Sequence, residues 1–431
     1  MEKPAIERAE QKLVRVVGRK EIIALTINSI IGAGIFAVPA TISAILGIAS
    51  PIAFVCAGLF TVFIVLCFAE LGGRYDRTGG AYLYASEAFG GVAAFLIGWL
   101  YFLARLTSIA ALTNAFIGFI GYFYEVVTPF RQLLIIAFLG LLGYINYRGV
   151  RASSRIINFL TVAKLAPLLT FIIAGFVVMN WDVYKNIPLP ELQPFTKALL
   201  LCMFAFTGFE VIGIPGGEMT NAKRDIPVGM LIGTGITIAI YLSIQFVAVA
   251  VHPGIAISKS PLAEAAQFIL GPKGGTFLTV GAICSVVGTL MGLMLTGPRI
   301  LFAMSMQHQM PHLFARVHPS FRTPSVSIGF FAILSIAVTL SSGFANLATL
   351  SAMARMITYI GSALALILLR RRIPSPETFR VPGGVAIPVL TILLSIFLLT
   401  AATAQQWIAG ICALAAGFVL YFFARKSHKR L

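Results

Sequence analysis

The sequence predicts an all-α membrane protein of twelve membrane-spanning helices, from its composition, its apolar runs and the placement of its charges. Of 431 residues, 58% are hydrophobic and 11% are charged, and the mean hydropathy is +0.94. That composition is too apolar for a soluble globular chain. The runs 51–69, 133–145 and 385–402, with their flanks, are long enough to cross a hydrocarbon core of about 30 Å as helices. Their uniform apolarity favours helices over strands of an outer-membrane barrel, which alternate polar and apolar faces.

The positive charge follows a membrane topology rather than a nucleic-acid-binding surface, although the formal net charge is +17. Lysine and arginine cluster at 3–20, 148–155, 223–224, 316–322, 370–372 and 426–430, whereas 47–51, 341–346 and 403–406 carry none. Alternate loops are therefore basic. The positive-inside rule then predicts an even number of spans in the inner membrane of the cell, with both termini in the cytoplasm. We predict the lipid bilayer as a partner and no nucleic acid.

The apolar runs divide into twelve predicted spans. They are 23–45, 51–72, 91–122, 132–147, 155–179, 197–217, 228–251, 275–305, 324–342, 345–370, 385–402 and 406–424. Residues 1–22 then form a cytoplasmic N-terminal segment and 425–431 a cytoplasmic tail. We predict that 23–180 holds a first repeat of five spans and 197–372 a second, inverted one, while 385–424 holds spans eleven and twelve. The stretches 181–194 and 258–271 are expected to form short external helices or loops.

Spans one and six are each interrupted by small residues near the middle. The first contains Gly32-Ala33-Gly34, and the sixth reads Phe204-Ala205-Phe206-Thr207-Gly208-Phe209-Glu210. Glycine is costly in a helix interior but suits a segment where helical hydrogen bonds are given up. Close helix packing through small residues is the alternative for either span taken alone. Because the two spans correspond in a five-plus-five inverted repeat, we predict discontinuous helices around a binding site near the bilayer midplane.

Such breaks have a defined chemistry. The second half-helix begins with free amides and the positive helix end, which suit a carboxylate, while the first half-helix ends with free carbonyls, which suit an ammonium group. Together they match the zwitterion of an amino acid without any charged side chain. The sequence therefore predicts a secondary active transporter of amino acids.

The order of several short motifs resembles the amino acid, polyamine and organocation transporter superfamily over most of the chain. Besides the two interrupted spans, the motifs are Ala69-Glu70-Leu71, Gly79-Gly80-Ala81-Tyr82, Arg224-x-Ile226-Pro227, Pro298-Arg299 with Met310-Pro311, and Phe379-Arg380-Val381-Pro382. This resemblance implies the leucine-transporter type of inverted-repeat fold. One departure is Tyr75-Asp76-Arg77, where the family commonly has a proline before the paired glycines.

The resemblance also implies positions for the substrate. Its carboxylate would meet the backbone at Gly32, Ala33 and Gly34. Its ammonium group would meet the carbonyls of Ile31, Phe204 and Ala205. Phe206 or Phe209 would serve as an aromatic gate.

Two ionisable residues in the predicted spans are candidates for proton coupling, because charged groups at membrane depth are costly. Lys164 lies about nine residues into span five, hence roughly 13 Å deep. In the proton-coupled and cationic branches of the family that this sequence resembles, a lysine at this position takes the place of a sodium ion. Lys164 would then be the proton carrier or a fixed cation, although a snorkelling or structurally paired lysine is the alternative. Glu210 would relay protons or neutralise a nearby cation.

Arg105 in span three and Arg355 in span ten are interpreted as partners rather than carriers, because arginine keeps its proton. Each would bind backbone carbonyls freed by the broken helices or pair with Glu210. Alternatively, one of them faces the site and recognises a carboxylate in the substrate side chain.

The remaining polar features are interpreted as structural. Solvated flanking charge is expected at the cytoplasmic span ends, with a gating ion-pair network as the alternative; the residues concerned are Glu70, Arg74, Glu218, Arg224 and Arg299. His308, His312 and His318 lack accompanying cysteine or acidic residues, so no metal site is predicted. The sequence contains no phosphate-binding loop, no catalytic motif and no filter sequence of a channel.

We therefore predict that the protein is not an enzyme and needs no cofactor. It would transport by alternating access as a proton-coupled symporter. The alternative is a proton-independent exchanger of amino acids or polyamines. The identity of the amino acid and the oligomeric state stay open.

Overall fold

The computed structural model describes residues 18–32, 34–75, 80–124, 129–149, 154–212, 221–252, 254–258, 260–372 and 379–428. Within these ranges the chain forms α-helices and short 3-10 turns, and no β-strand. The helices are α1 (Arg19–Ile30), α2 (Gly34–Leu46), α3 (Ser50–Arg74), α4 (Gly80–Phe89), α5 (Gly91–Gly121), α6 (Arg131–Tyr147), α7 (Ser154–Val178), α8 (Leu192–Ala205), α9 (Ala222–Val251), α10 (Pro261–Met306), α11 (Ser325–Ser341), α12 (Phe344–Arg372), α13 (Ala386–Leu399) and α14 (Ala404–His428).

Many of these helices have the length and apolarity of membrane spans. Among the described residues, six stretches are long and apolar enough to cross a bilayer: Gly34–Arg74, Gly91–Gly121, Lys223–Val251, Pro261–Met306, Phe344–Arg372 and Ala404–Ala424. Shorter apolar helices of 10–17 residues lie between them. Apolar side chains also cover much of the outside, for example Ile173, Val177 and Phe423. An apolar exterior of this kind fits a multi-pass membrane protein, because lipid tails and not water surround it.

Helix ends agree with the predicted spans to within a few residues in most cases. The predicted first span is divided between α1 and α2, as the glycines indicated. The stretch 258–271 contains the first part of α10, which is interrupted at Gly271 (φ 71°). Only glycine adopts this backbone readily, and Pro272 directly after it is suited to the first turn of a new helix.

The middle of the bundle is built around the two interrupted helices. α1 packs against α9, and α2 packs against α8. Around this pair, α10 packs against α5 and α7, while α12 packs against α5. The breaks are therefore surrounded by helices from both halves of the chain.

A buried ion-pair cluster corrects one expectation. Glu70 is fully buried, and its carboxylate accepts hydrogen bonds from Arg74 (2.8 Å), from the Arg370 Nε (2.8 Å) and Nη2 groups, and from the backbone N–H of Val381 (2.8 Å). Glu70 and Arg74 are thus not solvated flanking charges. The apolar medium favours pairing, because a buried carboxylate without partners is costly. Arg224 is exposed, as expected, and Glu218 lies outside the described residues.

Candidate functional site

The first break lies between α1 and α2. Helix α1 ends at Ile30, and α2 begins at Gly34. Ile31, which follows α1, has a non-helical backbone with ψ of 82°. Gly32 donates its N–H to the Ile30 carbonyl at 2.7 Å. Ala33 lies outside the described residues. The break leaves carbonyls at the end of α1 and the amides of the first turn of α2 without helical partners.

The second break follows Ala205, where α8 ends. Thr207 caps this end, because its Oγ1 donates to the Phe204 carbonyl at 2.8 Å. Gly208 has φ of 123°, and a 3-10 turn over Phe209–Val211 follows. The backbone N–H of Gly208 donates to the Glu210 carboxylate at 2.8 Å. A residue with a Cβ would be strained at this φ, so glycine is required for the turn.

The two breaks pack directly against each other. A Cβ on Gly208 would lie 2.2 Å from the Ser29 carbonyl oxygen, and a Cβ on Gly34 would lie 2.9 Å from the Ala205 Cα atom. Glycine therefore permits the approach of two backbones at both positions, in addition to the conformation required at Gly208. The polar groups of both interruptions are brought into one small region.

A cavity of about 200 Å³ lies at this crossing. The two breaks and their flanks contribute one part of its lining; these residues are Asn28, Ser29, Ile30, Gly32, Gly34, Phe204, Ala205, Thr207, Gly208 and Val211. Other lining residues come from α5, α7, α10 and α12; they are Arg105, Ser108, Leu112, Lys164, Cys284, Ser285, Gly288, Thr289, Gly292, Leu293, Thr296 and Arg355. Of the predicted residues, Gly32, Gly34, Phe204, Ala205, Lys164, Arg105 and Arg355 line it.

Lys164 lies at the carbonyl end of α1. Its side chain is 3% exposed, and Nζ donates to the carbonyls of Asn28 (2.7 Å) and Ile31 (2.6 Å). An ammonium group at this point also complements the negative end of the helix. Ile31 itself is buried, and its carbonyl also accepts from Ser285 at 3.4 Å. The Ile31 carbonyl expected to meet the substrate thus already has donors from the protein.

Glu210 and Arg355 form a buried ion pair. Arg355 Nε donates to Glu210 Oε1 at 3.0 Å, and both side chains are almost fully buried. Arg355 Nη1 also donates to Ser108 at 3.0 Å and to Ser351. Arg355 therefore pairs with Glu210, the first of the two roles considered for it. The pair connects the second break to α12.

Arg105 also lines the cavity, but its surroundings differ. The side chain is 5% exposed, and its Nη2 group donates to the Tyr101 hydroxyl, one helical turn earlier in α5. The guanidinium carbon lies 4.7 Å from the centre of the Tyr101 ring. The buried Nε of Arg105 has no hydrogen-bond partner. Among the described residues, no carboxylate forms an ion pair with Arg105 within 4.0 Å.

Phe206 and Phe209 lie away from the cavity, which does not match the expected aromatic gate. Phe206 packs against Phe54 and Tyr241, and Phe209 packs against Phe68 and Tyr359. The turn at Gly208 and the start of the 3-10 turn direct both rings into the core. Phe204 is the aromatic residue of this segment that lines the cavity.

The sequence reasoning missed the polar residues that complete the site. Tyr241 donates its hydroxyl to the Ile30 carbonyl at 2.9 Å. On α10, Ser285, Thr289, Gly292 and Thr296 line the cavity. Their spacing of three or four residues places them on one helical face. A polar stripe of this period in an otherwise apolar span was the sequence signal that could have located this face of α10.

Comparison with known proteins identifies the family of the chain. The family model described as amino acid permease matches residues 17–426. The chain belongs to the amino acid permease family. It is thus a member of the amino acid, polyamine and organocation superfamily, as the motifs indicated.

Relatives that cover most of the chain carry several transport functions in their names. The methylthioribose transporter of Bacillus subtilis is 26% identical over 100% of this chain and 98% of its own length. The serine/threonine exchanger SteT of the same organism is 30% identical over 90% of this chain and 91% of its own length. Mouse cationic amino acid transporter 4 is 26% identical over 86% of this chain and 62% of its own length.

Proposed function

We propose that the protein is a secondary active amino acid transporter that works by alternating access, with the substrate bound in the cavity between the two broken helices. The observation that supports this most is the meeting of both interruptions at one cavity, through Gly208 against Ser29 and Gly34 against Ala205. The substrate carboxylate would bind at the start of α2, and its ammonium group near the end of α8. Such a site needs no cofactor and no covalent chemistry.

The proposal includes a twelve-span topology with a five-plus-five inverted repeat. Residues 23–180 and 197–372 would form the two repeats, and 385–424 the last two spans, in an inner membrane with both termini in the cytoplasm. The position of one break in α1–α2 and the other after α8 supports this division, because inverted repeats place their discontinuous helices in corresponding positions.

For coupling, we favour a proton symporter in which Lys164 changes its charge during the cycle. Lys164 contacts the end of α1 through two carbonyls, so loss of its proton would remove the positive charge at this half-helix and weaken both hydrogen bonds. A change of charge would then alter the relative stability of the states that open to either side. Glu210 is a less direct candidate for a proton relay, since it is engaged by Arg355.

The alternative is a proton-independent exchanger, in which Lys164 stays charged as a fixed cation. The similarity to a serine/threonine exchanger supports it, and in this case the two hydrogen bonds from Lys164 would hold the end of α1 throughout the cycle. The two candidates share the binding site and differ in what Lys164 does.

Uptake by purified protein in proteoliposomes tests the coupling. A panel of labelled amino acids is offered with and without an inward proton gradient, for the wild type and for Lys164→Ala. We expect the gradient to accelerate uptake by the wild type several-fold and to leave the uptake rate of Lys164→Ala unchanged. Lys273→Ala, an exposed lysine at the start of the second part of α10, serves as the control and should behave as the wild type.

The same vesicles distinguish the alternative. Counterflow that persists without a pH gradient, together with negligible net uptake, supports exchange and rejects symport. Acceleration by the gradient that is unchanged in Lys164→Ala rejects Lys164 as the coupling group. Absence of transport for every amino acid in the panel rejects the proposed function itself.

A further inference from the structure

We propose that the preferred substrate is an amino acid with an anionic side chain, and that Arg105 binds the side-chain carboxylate. This inference rests on the proposed function and specifies its substrate class. It is based on the contacts of Arg105 and on the balance of charge around the cavity.

Arg105 has unused hydrogen-bonding capacity in the cavity. Its side chain is 5% exposed and lines the cavity, yet its buried Nε has no partner. Its contacts with Tyr101, a hydroxyl and an aromatic ring, position the guanidinium group without neutralising it. A buried donor without a partner is costly, and the cost rises for a charged group. A ligand carboxylate beside this guanidinium group in the cavity would supply the missing counter-charge.

Arg355 provides an internal comparison, because it is the other guanidinium group in the same cavity. Its Nε is bound to the Glu210 carboxylate, and its Nη1 is bound to Ser108 and Ser351. Its charge is therefore balanced within the protein. Glu210 also attracts Arg105 electrostatically, but among the described residues no carboxylate forms an ion pair with Arg105 within 4.0 Å. The contrast indicates that Arg105, and not Arg355, is available to the substrate.

The charges around the cavity do not cancel. Lys164, Arg105 and Arg355 line it, and none of its described lining residues is a carboxylate. Glu210, just outside the lining, balances Arg355. The net charge of these groups is therefore +1, from Arg105, when Lys164 is neutral, and +2 when Lys164 is protonated. A zwitterionic substrate adds no net charge, whereas an amino acid with an anionic side chain brings one negative charge.

Two geometric features fit the same substrate. The α-amino and α-carboxylate groups would bind at the breaks, on α1, α2 and α8, whereas Arg105 is provided by α5. The backbone and the side chain of the substrate would therefore be recognised by different elements. A planar guanidinium fork also matches the geometry of a carboxylate. A cationic side chain or a polyamine would instead meet a like charge at Arg105, which disfavours both.

Competition in wild-type proteoliposomes gives the first test. Uptake of a labelled amino acid is measured in the presence of one unlabelled competitor at a time. Glutamate is compared with glutamine, and aspartate with asparagine, because the members of each pair are similar in shape and differ in charge. We expect the acid of at least one pair to compete at least about tenfold better than its amide, as expected for a charge-assisted hydrogen bond. Lysine and putrescine should compete weakly.

Substitution of Arg105 gives the second test. In Arg105→Met the preference for the acid over its amide should disappear, mainly through KM for the acid, while uptake of the amide is retained. Arg105→Lys should keep part of the preference, because the charge remains and the fork is lost. Arg316→Met, an exposed arginine in a loop, should keep the wild-type preference.

Each result has a separate meaning. If neutral amino acids are taken up and acidic amino acids do not compete with them, this inference is overturned and the proposed function stays intact. The same holds if uptake depends on chloride and not on an acidic substrate. Absence of any amino acid uptake overturns the proposed function. If Arg105→Met does not fold, the wild-type competition between each acid and its amide decides.

Discussion

At the scale of single residues, the site depends on two glycines that let backbones approach. Gly208 combines a positive φ with contact to the Ser29 carbonyl, and Gly34 lies against Ala205. Neither position has room for even a methyl group. Glycine is therefore required at position 208 by conformation and by packing, and at position 34 by packing, which is more specific than the general tolerance of glycine in a broken helix.

Gly208→Ala is expected to be strongly disruptive. The backbone conformation alone costs about 1–3 kcal/mol for a residue with a Cβ, and the methyl group would also overlap the Ser29 oxygen. We expect a lower melting temperature in detergent and a loss of uptake. Gly235→Ala in α9 is the matched control, since it is helical and a Cβ there meets nothing within 4 Å. Uptake by Gly208→Ala at the wild-type rate would contradict the described geometry.

The sequence predicted the positions of the critical residues better than their partners. The depth of Lys164 was predicted from helical rise. The pairing of Arg355 with Glu210 was one of the alternatives considered for that arginine, because charges at membrane depth require partners. The carbonyl of Asn28, 136 residues from Lys164, could not be predicted without the tertiary structure that places Lys164 beside the end of α1. The ring directions of Phe206 and Phe209 depend on the turn at Gly208, which has no periodic signal in the sequence.

At the scale of helices, the Glu70 cluster connects elements that are distant in sequence. It joins the end of α3 to the end of α12 and, through the Val381 N–H, to the segment before α13. Arg372 adds a bond from α12 to the Ala88 carbonyl at the end of α4. This arrangement holds several helices together at one end of the bundle.

Glu70→Gln should destabilise the protein on the order of 2 kcal/mol, because two arginines at a buried position lose their counter-charge. The measurement is the thermal midpoint of the purified protein. Asp182→Asn is the matched control. Asp182 forms an ion pair with Lys185 at 2.7 Å, but both side chains are exposed to solvent, so no measurable change in the thermal midpoint is expected. Equal midpoints for Glu70→Gln and the wild type would show that the cluster contributes little.

Helix positions were predictable because apolar runs and prolines mark them. The division of the first span and the interruption of α10 at Gly271-Pro272 both had local signals. The polar face of α10 was present in the sequence as Ser285, Thr289 and Thr296. It was missed because hydroxyl groups in apolar helices commonly bond to their own backbone, and Thr289 does so here with the Ser285 carbonyl.

At the scale of the whole molecule, the cavity is enclosed by helices from both halves of the chain. α1 and α2 come from the first half, as do α5 and α7, whereas α8, α10 and α12 come from the second. In the proposed alternating access, both broken helices, with α3 and α9, would rock against α5, α6, α10 and α11, so that access to the cavity changes while the binding groups of the two breaks stay together. The central claim is thus that the transported amino acid occupies this cavity.

Cys284 permits a direct test of that claim in the unmodified protein, because it is half-buried and lines the cavity. The measurement is the rate of alkylation of each cysteine by a small permeant thiol reagent, resolved by mass spectrometry at increasing substrate concentration. We predict that substrate slows alkylation of Cys284, with half of the effect near the KM for transport. The exposed Cys412 on α14 should be unaffected. Alkylation of Cys284 that is indifferent to a saturating, transported substrate would contradict the account.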